Sequence, residues 1–549
     1  MSKSHVRGGS GLFLLVLGLS LVVGPLRADT YPRQPGVDVL HYAFRLTLSD
    51  STDEIVGEAS IDVRAVSMGL PGFVLDLGSA VGTKGMTVSE VTSAGIALRF
   101  VHEANRLAIT FATPMRAGER RRIVVRYRGT PASGLRILKN KFGERSFFSE
   151  NWPDRARQWL PMIDHPYDKA TSEFLITAPV QYQVVANGLL QEETDLGDGR
   201  RLTHWKQSVP IASWLNAIGV AQFAVHHAGV VKGVELQTWV YHQERDAGIT
   251  YFEPTARQAL EFYSEYVGPY SYEKLANVEA AGFGGGTEHA SAIFYGENSI
   301  ITRPGMGLIA HEIAHQWFGN AVTERDWDDV WLSEGFATYF TLLFTEHHLG
   351  RDAFVDGLKR SRETVRTLEQ RTPGLTVIHD NLADMKLVLN QLIYQKGGWT
   401  LHMLRSLVGD SAFHSGIRDY YARYRDGSAS TDEFRRVMEE NSGKELGWFF
   451  QQWLHRAGSP VVEGTWRYNE AARQIEIEVS QTQPGDPYRL PLEVGIGGEG
   501  AATRTAQIEM TARQQRFVVP ADAAPTSVQL DPNTLVLMET RFSRAGGPR

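Results

Sequence analysis

The chain predicts a multidomain α+β protein: an N-terminal antiparallel β domain, a mainly helical middle and a small C-terminal β-sandwich. Three observations carry this expectation. At 549 residues the chain exceeds what one hydrophobic core organises. The hydrophobic pattern changes period twice, from two-residue alternation to helical spacing and back. The composition, with 42% hydrophobic, 10% aromatic and 22% charged residues, is that of packed domains rather than of a disordered or collagen-like chain.

The first element reads as an address. Lys3 and Arg7 precede the uncharged run 11–23. Thirteen helical residues rise roughly 20 Å, short of the ~30 Å hydrocarbon layer. A basic start, a short apolar run and the small Ala28 therefore read as a secretory signal over 1–28, cut near Ala28–Asp29, with an uncleaved anchor as the alternative. Cleavage removes Lys3, Arg7 and Arg27, leaving 53 Lys and Arg against 63 Asp and Glu, a formal charge of −10. The expectation is an exported protein, periplasmic or secreted, with no stable membrane span.

Residues 29–237 form the expected β domain. HYAFRLTLSD, GEASIDVRAV, GFVLDLG, RLAITFATP and RRIVVRYRG are short alternating runs separated by Gly, Pro, Ser and Asp turns. Residues 238–459 change to longer amphipathic segments: PTARQALEFYSEYVG, 308–318, 334–348 and LNQLIYQKGGWTLHMLRSLVG. From 460 to 549 short strands return, in QIEIEVSQ, RLPLEVGI, RTAQIEMT, QRFVVP and SVQLD. No internal repeat or low-complexity linker separates the three parts.

Composition also excludes chemistries. There are no cysteines, which rules out disulfides, thiol catalysis, iron–sulfur clusters and thiolate zinc sites. A formal charge of −7 over the full chain leaves no basic surplus for nucleic-acid backbones. No Gly-x-Ser-x-Gly elbow occurs. Any metal must be held by His, Asp and Glu.

The helical middle supplies such a set. Residues 308–320 read LIAHEIAHQWFGN. On a helix, His311 and His315 point the same way, and Glu312 lies beside them without being a ligand. Nineteen positions past His315 comes Glu334, in WLSEGFATYF. Two His, one Glu and a water form the catalytic zinc arrangement, with one position left open. The bland alternatives are two unrelated histidines on a surface helix and an acid that favours a helix dipole.

HEIAHQWFGN followed by WLSEGFATYF closely resembles the aminopeptidase N family of gluzincin zinc metallopeptidases. The segments RQWLPMIDHPYDKAT, YQKGGWTLHMLR, WLHRAGSPVV and VQLDPNTLVL extend the resemblance over nearly all of the mature chain. It implies an N-terminal β domain, a thermolysin-like helical catalytic domain and a β-sandwich, without the large helical C-terminal domain of many members. It implies one Zn2+ per chain on His311, His315 and Glu334, with Glu312 as general base. Tyr394 falls where the family keeps a tyrosine that hydrogen-bonds the tetrahedral intermediate. In GGGTEHAS, Gly285, Gly286 and Glu288 match the family's Gly-x-Met-Glu-Asn motif, with Glu288 binding the substrate's free α-ammonium. Glu150, in SENWPDRAR, stands at a second amine-contact position.

Four departures accompany the match. Thr287 and His289 replace Met and Asn of that motif. Trp152 stands where relatives place an acceptor for the amine, and Thr341 where they often place an acid behind the metal ligands. Asp329 is the expected substitute for orienting a ligand histidine. Gly284, at a position bulkier in some relatives, implies a roomy pocket. The resemblance thus implies a zinc aminopeptidase acting on peptides with a free N-terminus. A thermolysin-like endopeptidase and a catalytically silent binding scaffold are the alternatives.

Overall fold

The computed structural model describes residues 29–378, 385, 388–498 and 504–546. The expected signal over 1–28 lies outside the described residues.

The N-terminal part is built on an eight-stranded sheet in the order 189–195, 200–211, 170–179, 37–47, 55–65, 120–130, 85–93, 96–97. All its pairs are antiparallel except 37–47 with 170–179, which run parallel. The opening strand shows how sequence sets register. Val37 and Val39 point inward, and so do Tyr42, Phe44 and Leu46. A two-residue period cannot place both sets on one face, and a register shift between Val39 and His41 supplies the extra residue. A three-stranded sheet (70–76, 106–115, 99–103) and a four-stranded one (183–186, 218–221, 145–149, 135–139) complete this part.

A five-stranded sheet then joins the β part to the helices, in the order 223–231, 234–241, 274–280, 292–296, 286–287. Its two faces serve two cores. Ala276, Val278 and Phe294 pack into the N-terminal core, while Leu275, Ile293 and Tyr295 pack with the helices. The change of regime read at 237/238 falls inside the strand Val234–Tyr241. This sheet keeps the two-residue alternation of the strands before it, so periodicity does not mark the border.

The helices of the middle include α1 (Arg245–Tyr266), α2 (Met306–Ala314), α3 (Trp331–Leu349), α4 (Arg351–Arg371) and α5 (Gln391–Val408), with others following as far as Leu454. Asn390 caps α5, its side chain accepting from the amides of Leu392 and Ile393. The α3–α5 contact depends on small residues. A Cβ on Gly335 would sit 3.0 Å from the Gly397 backbone, so the two helices approach to backbone distance. After α2 the chain turns sharply, and the buried ammonium of Lys169 ties that turn to the β part by donating to the carbonyls of Asn320, Ala321 and Gly427 at 3.0–3.1 Å.

The C-terminal part has a four-stranded sheet (514–520, 474–481, 461–469, 539–544) facing a three-stranded one (504–510, 490–497, 527–530). Inward residues such as Trp466, Ile475, Leu490 and Val494 continue the helical core. Among the described residues no helix is long and apolar enough to cross a membrane.

Candidate active site

The three predicted ligands converge. His311 lies in α2, and His315 follows one turn later, at the residue that ends the helix. Glu334 lies in the first turn of α3. His311 Nε2 and His315 Nε2 are 3.1 Å apart, and Glu334 Oε2 is 3.4 and 3.2 Å from them. A tetrahedral zinc with bonds of 2.0–2.1 Å spaces its ligands about 3.3–3.4 Å apart, so the triangle has the size the ion requires. Glu334 Oε2 is buried and has no hydrogen-bond donor among the described residues. Left so, it would be a costly oxygen; a shared cation removes the cost.

The far sides of the imidazoles are fixed. His315 Nδ1 lies 3.2 Å from the Phe318 carbonyl and 3.1 Å from the Ser333 hydroxyl, and the Ala337 carbonyl faces His311. These contacts hold the rings with Nε2 towards the shared centre. Thr341 donates to that Ala337 carbonyl at 2.7 Å. The expectation for Asp329 is corrected: its carboxylate accepts from Thr431 at 2.6 Å and touches neither histidine. Ser333, one residue before a ligand, and the helix carbonyls perform the orienting instead.

Glu312 and Glu288 bring more negative charge to the same place. One ligand atom each from Glu288, Glu312 and His315 lie within 4.8 Å of one another. Burial, and then the neighbouring Glu288, push the Glu312 carboxyl well above the ordinary range, and burial raises Glu288 as well. Burial disfavours a charged His315, yet Glu288 and Glu334 outweigh it and push the imidazole up to about 10. Burial likewise opposes a charged Glu334, but the two histidines hold it far below the carboxylate range. The arrangement demands positive charge between the imidazoles and Glu334, which a divalent cation supplies.

Tyr394 belongs to this cluster. From α5 its hydroxyl donates to Glu334 Oε1 at 2.8 Å, and its ring stacks on His311 with centroids 6.1 Å apart. The Gly335–Gly397 contact is what lets a side chain on α5 reach Glu334. Burial and Glu334 keep the phenol protonated.

The glycine segment forms the other wall. Gly286–Thr287 is the outermost strand of the five-stranded sheet, paired antiparallel with 292–296. A Cβ on Gly286 would stand 2.3–2.4 Å from Glu312, whereas Gly284 and Gly285 have nothing within 4 Å of that position. Gln316 and Asn320, both in the quoted HEIAHQWFGN, donate to the Glu288 carbonyl at 3.0 and 2.5 Å. Their amides lock the loop to the turn after α2, a role that spacing alone does not reveal. His289 is fully buried without a hydrogen-bond partner among the described residues and packs on Phe294. Burial pulls its pKa down to about 3.

At the second amine-contact position the structure differs from expectation. Both Glu150 oxygens are already engaged, by Arg136 Nη2 at 3.0 Å and by Arg155 Nη2. Neither arginine was identifiable as a site residue from the sequence. Trp152 stacks between Trp214 and Trp327, with centroids 5.2 and 4.5 Å away, so its position is given over to packing. Glu324, also unforeseen, is buried with both carboxylate oxygens unpartnered among the described residues.

Comparison with known proteins agrees with this geometry. Residues 252–453 match the peptidase family M1 domain, and residues 39–215 match the peptidase M1 N-terminal domain. A glutamyl aminopeptidase of Bitis rhinoceros is 28% identical over 331 residues, covering 57% of this chain and 34% of that protein. The chain thus spans about a third of the length of the curated relatives it matches. The crystal structure of an M1 zinc metallopeptidase from Deinococcus radiodurans superposes with a TM-score of 0.67 at 28% identity, covering 77% of this chain and 94% of that one. A mutant two-domain M1 zinc metallopeptidase bound to L-tryptophan gives 0.68 at 27% identity, covering 78% and 96%. With two family domains matched in order and the zinc-ligand geometry in place, the chain belongs to peptidase family M1, the gluzincin zinc metallopeptidases to which aminopeptidase N belongs.

Proposed function

We propose that the chain is an aminopeptidase that hydrolyses the first peptide bond of peptides with a free N-terminus. The observation that carries this reading is Glu288. Its carboxylate reaches within 4.8 Å of Glu312 and His315 yet lies outside the set His311, His315 and Glu334. A carboxylate at that point suits an α-ammonium, whereas an endopeptidase has no need to hold an amine there.

Zinc on His311, His315 and Glu334 would supply Lewis acidity and a water acidic enough to attack at neutral pH. The remaining work falls to this chain's side chains. Glu288 holds the ammonium and so sets the register, placing the first peptide bond over the metal ligands. The edge strand Gly286–Thr287 accepts the peptide backbone as an added strand. The Glu312 carboxylate takes a proton from the attacking water and returns it to the leaving nitrogen. The Tyr394 hydroxyl turns from Glu334 to the substrate carbonyl oxygen as negative charge develops there.

The test is a panel of aminoacyl chromogenic substrates, their N-acetylated forms and internally quenched peptides, with and without chelator. The reading expects cleavage only of free-amine substrates, and loss of that cleavage on chelation. Cleavage of acetylated substrates at equal rates would establish the endopeptidase instead. Absent turnover of every substrate would leave the silent scaffold, and turnover that survives chelation would remove the metal from the reading. We further propose export with cleavage near Ala28, on the basic start and the apolar run 11–23. N-terminal sequencing of the mature protein should begin at or next to Asp29.

A further inference from the structure

Glu150 and its two arginines extend the site beyond the residues discussed so far. Arg136 Nη1 donates to the Gly282 carbonyl at 2.6 Å, Nη2 donates to Glu150 Oε2, and the guanidinium lies 5.2 Å from the centre of the Phe283 ring. Arg155 donates to Glu150 Oε1 and, through Nε at 2.7 Å, to the Trp152 carbonyl. Two guanidiniums on one carboxylate leave a net positive charge. Both arginine side chains are 37% exposed, whereas that of Glu150 is 11% exposed, so solvent meets the cations and not the anion.

The place matters as much as the charge. Arg136 grips the start of the segment Gly282–Gly286, whose far end packs on Glu312 and leads into Glu288. Between the two ends, Gly284 and Gly285 border open space. Glu150 is also near enough to Glu288 to bear on its ionisation. A substrate whose ammonium sits on Glu288 therefore has room for its first side chain on the same wall as the guanidiniums.

We propose that Arg136 and Arg155 form an anion-reading wall of the pocket for the first side chain, so that the preferred substrates carry N-terminal glutamate or aspartate. The proposal rests on the aminopeptidase reading above and on this chain's own arginines. Discrimination comes from a balance of charges. Glu288, Glu312 and Glu334 repel a second carboxylate anywhere else in the site, and only the arginine wall receives it. Glu150 holds the two guanidiniums in place and tempers their attraction. A cationic side chain placed there meets net positive charge and is rejected.

The test compares glutamyl with glutaminyl p-nitroanilide, which have the same shape and differ in charge. On the zinc-loaded enzyme, kcat/KM for the glutamyl substrate should exceed that for the glutaminyl one by about tenfold or more, as expected for a hydrogen-bonded charge. Arg136→Gln and Arg155→Gln should each bring the ratio towards one. Arg155→Lys should restore part of it. Glu150→Gln, which frees both guanidiniums, should raise the ratio, a change no loss of folding produces. Raising the salt should shrink it. Binding of free L-glutamate against L-glutamine by calorimetry reads the same wall without turnover. If alanyl and glutaminyl substrates are cleaved but the glutamyl one is no better, or if lysyl is preferred, the wall is overturned and the aminopeptidase reading stands. If no aminoacyl substrate turns over, that reading fails, and the glutamate–glutamine binding difference still decides the wall.

Discussion

Gly286→Ala isolates the contact between the edge strand and the general base. The added Cβ would stand 2.3–2.4 Å from Cδ, Cγ and Oε1 of Glu312, whereas ordinary contact begins at 3.4 Å. The carboxylate must therefore retreat by about 1 Å. The clashing atoms lie at the end of a side chain, so the fold yields cheaply and the loss falls on chemistry. Misplacement of a reacting group by 1 Å costs about 10²-fold. We expect kcat/KM on alanyl p-nitroanilide to fall about 10²-fold, chiefly in kcat, with zinc retained and the melting temperature within a few degrees of the parent. Gly447→Ala, at a position outside the site where a Cβ likewise meets nothing within 4 Å, should stay within about threefold. A folded, zinc-bound Gly286→Ala protein that also stays within about threefold would refute the placement of Glu312 against this strand.

Three further substitutions probe other parts of the account. Glu312→Gln should lower turnover by about 10²–10⁴-fold while metal analysis still finds zinc, because the carboxylate moves protons and holds no metal. Tyr394→Phe should cut kcat by about 10²–10³-fold with little change in KM, since its hydroxyl serves the developing oxyanion; an effect confined to KM would make it a binding residue. His402, buried in α5 with Nε2 2.9 Å from the Thr534 carbonyl, is held down to about 4, chiefly by burial. Its folded pKa lies below the unfolded value, so stability is intact above about 6.5 and is lost as pH falls to about 4, by about 3 kcal/mol in all. Denaturant unfolding between pH 7 and pH 4 should show this acid loss, and His402→Asn should flatten it.

What was legible in the sequence follows from how local each feature is. His311 and His315 share a face because helical geometry fixes positions four apart, and Glu334 lies one short connection beyond. The strand and helix regimes were legible because burial imposes period two or 3.6 over whole segments. Tyr394 could be assigned only through resemblance. Its reach to Glu334 depends on Gly335 meeting Gly397 across two helices, which no periodicity encodes. Asp329 resembles an orienting acid in sequence because it lies near a ligand, whereas in space Thr431 takes it. Helix α1 starts at Arg245, ahead of the quoted segment PTARQALEFYSEYVG, so Pro254 lies inside the helix. Arg136 and Arg155 meet at Glu150 from a strand and from a turn, and only the folded chain brings them together.

The central claim is that one zinc ion sits on two imidazoles and a carboxylate drawn from two helices. Anomalous diffraction recorded on either side of the zinc absorption edge, from crystals grown without added metal, tests it directly. The account predicts one strong peak per chain, 2.0–2.2 Å from Nε2 of His311, Nε2 of His315 and a carboxylate oxygen of Glu334. A zinc peak held by other residues, or those three side chains turned away from a common point in the zinc-replete protein, would contradict it.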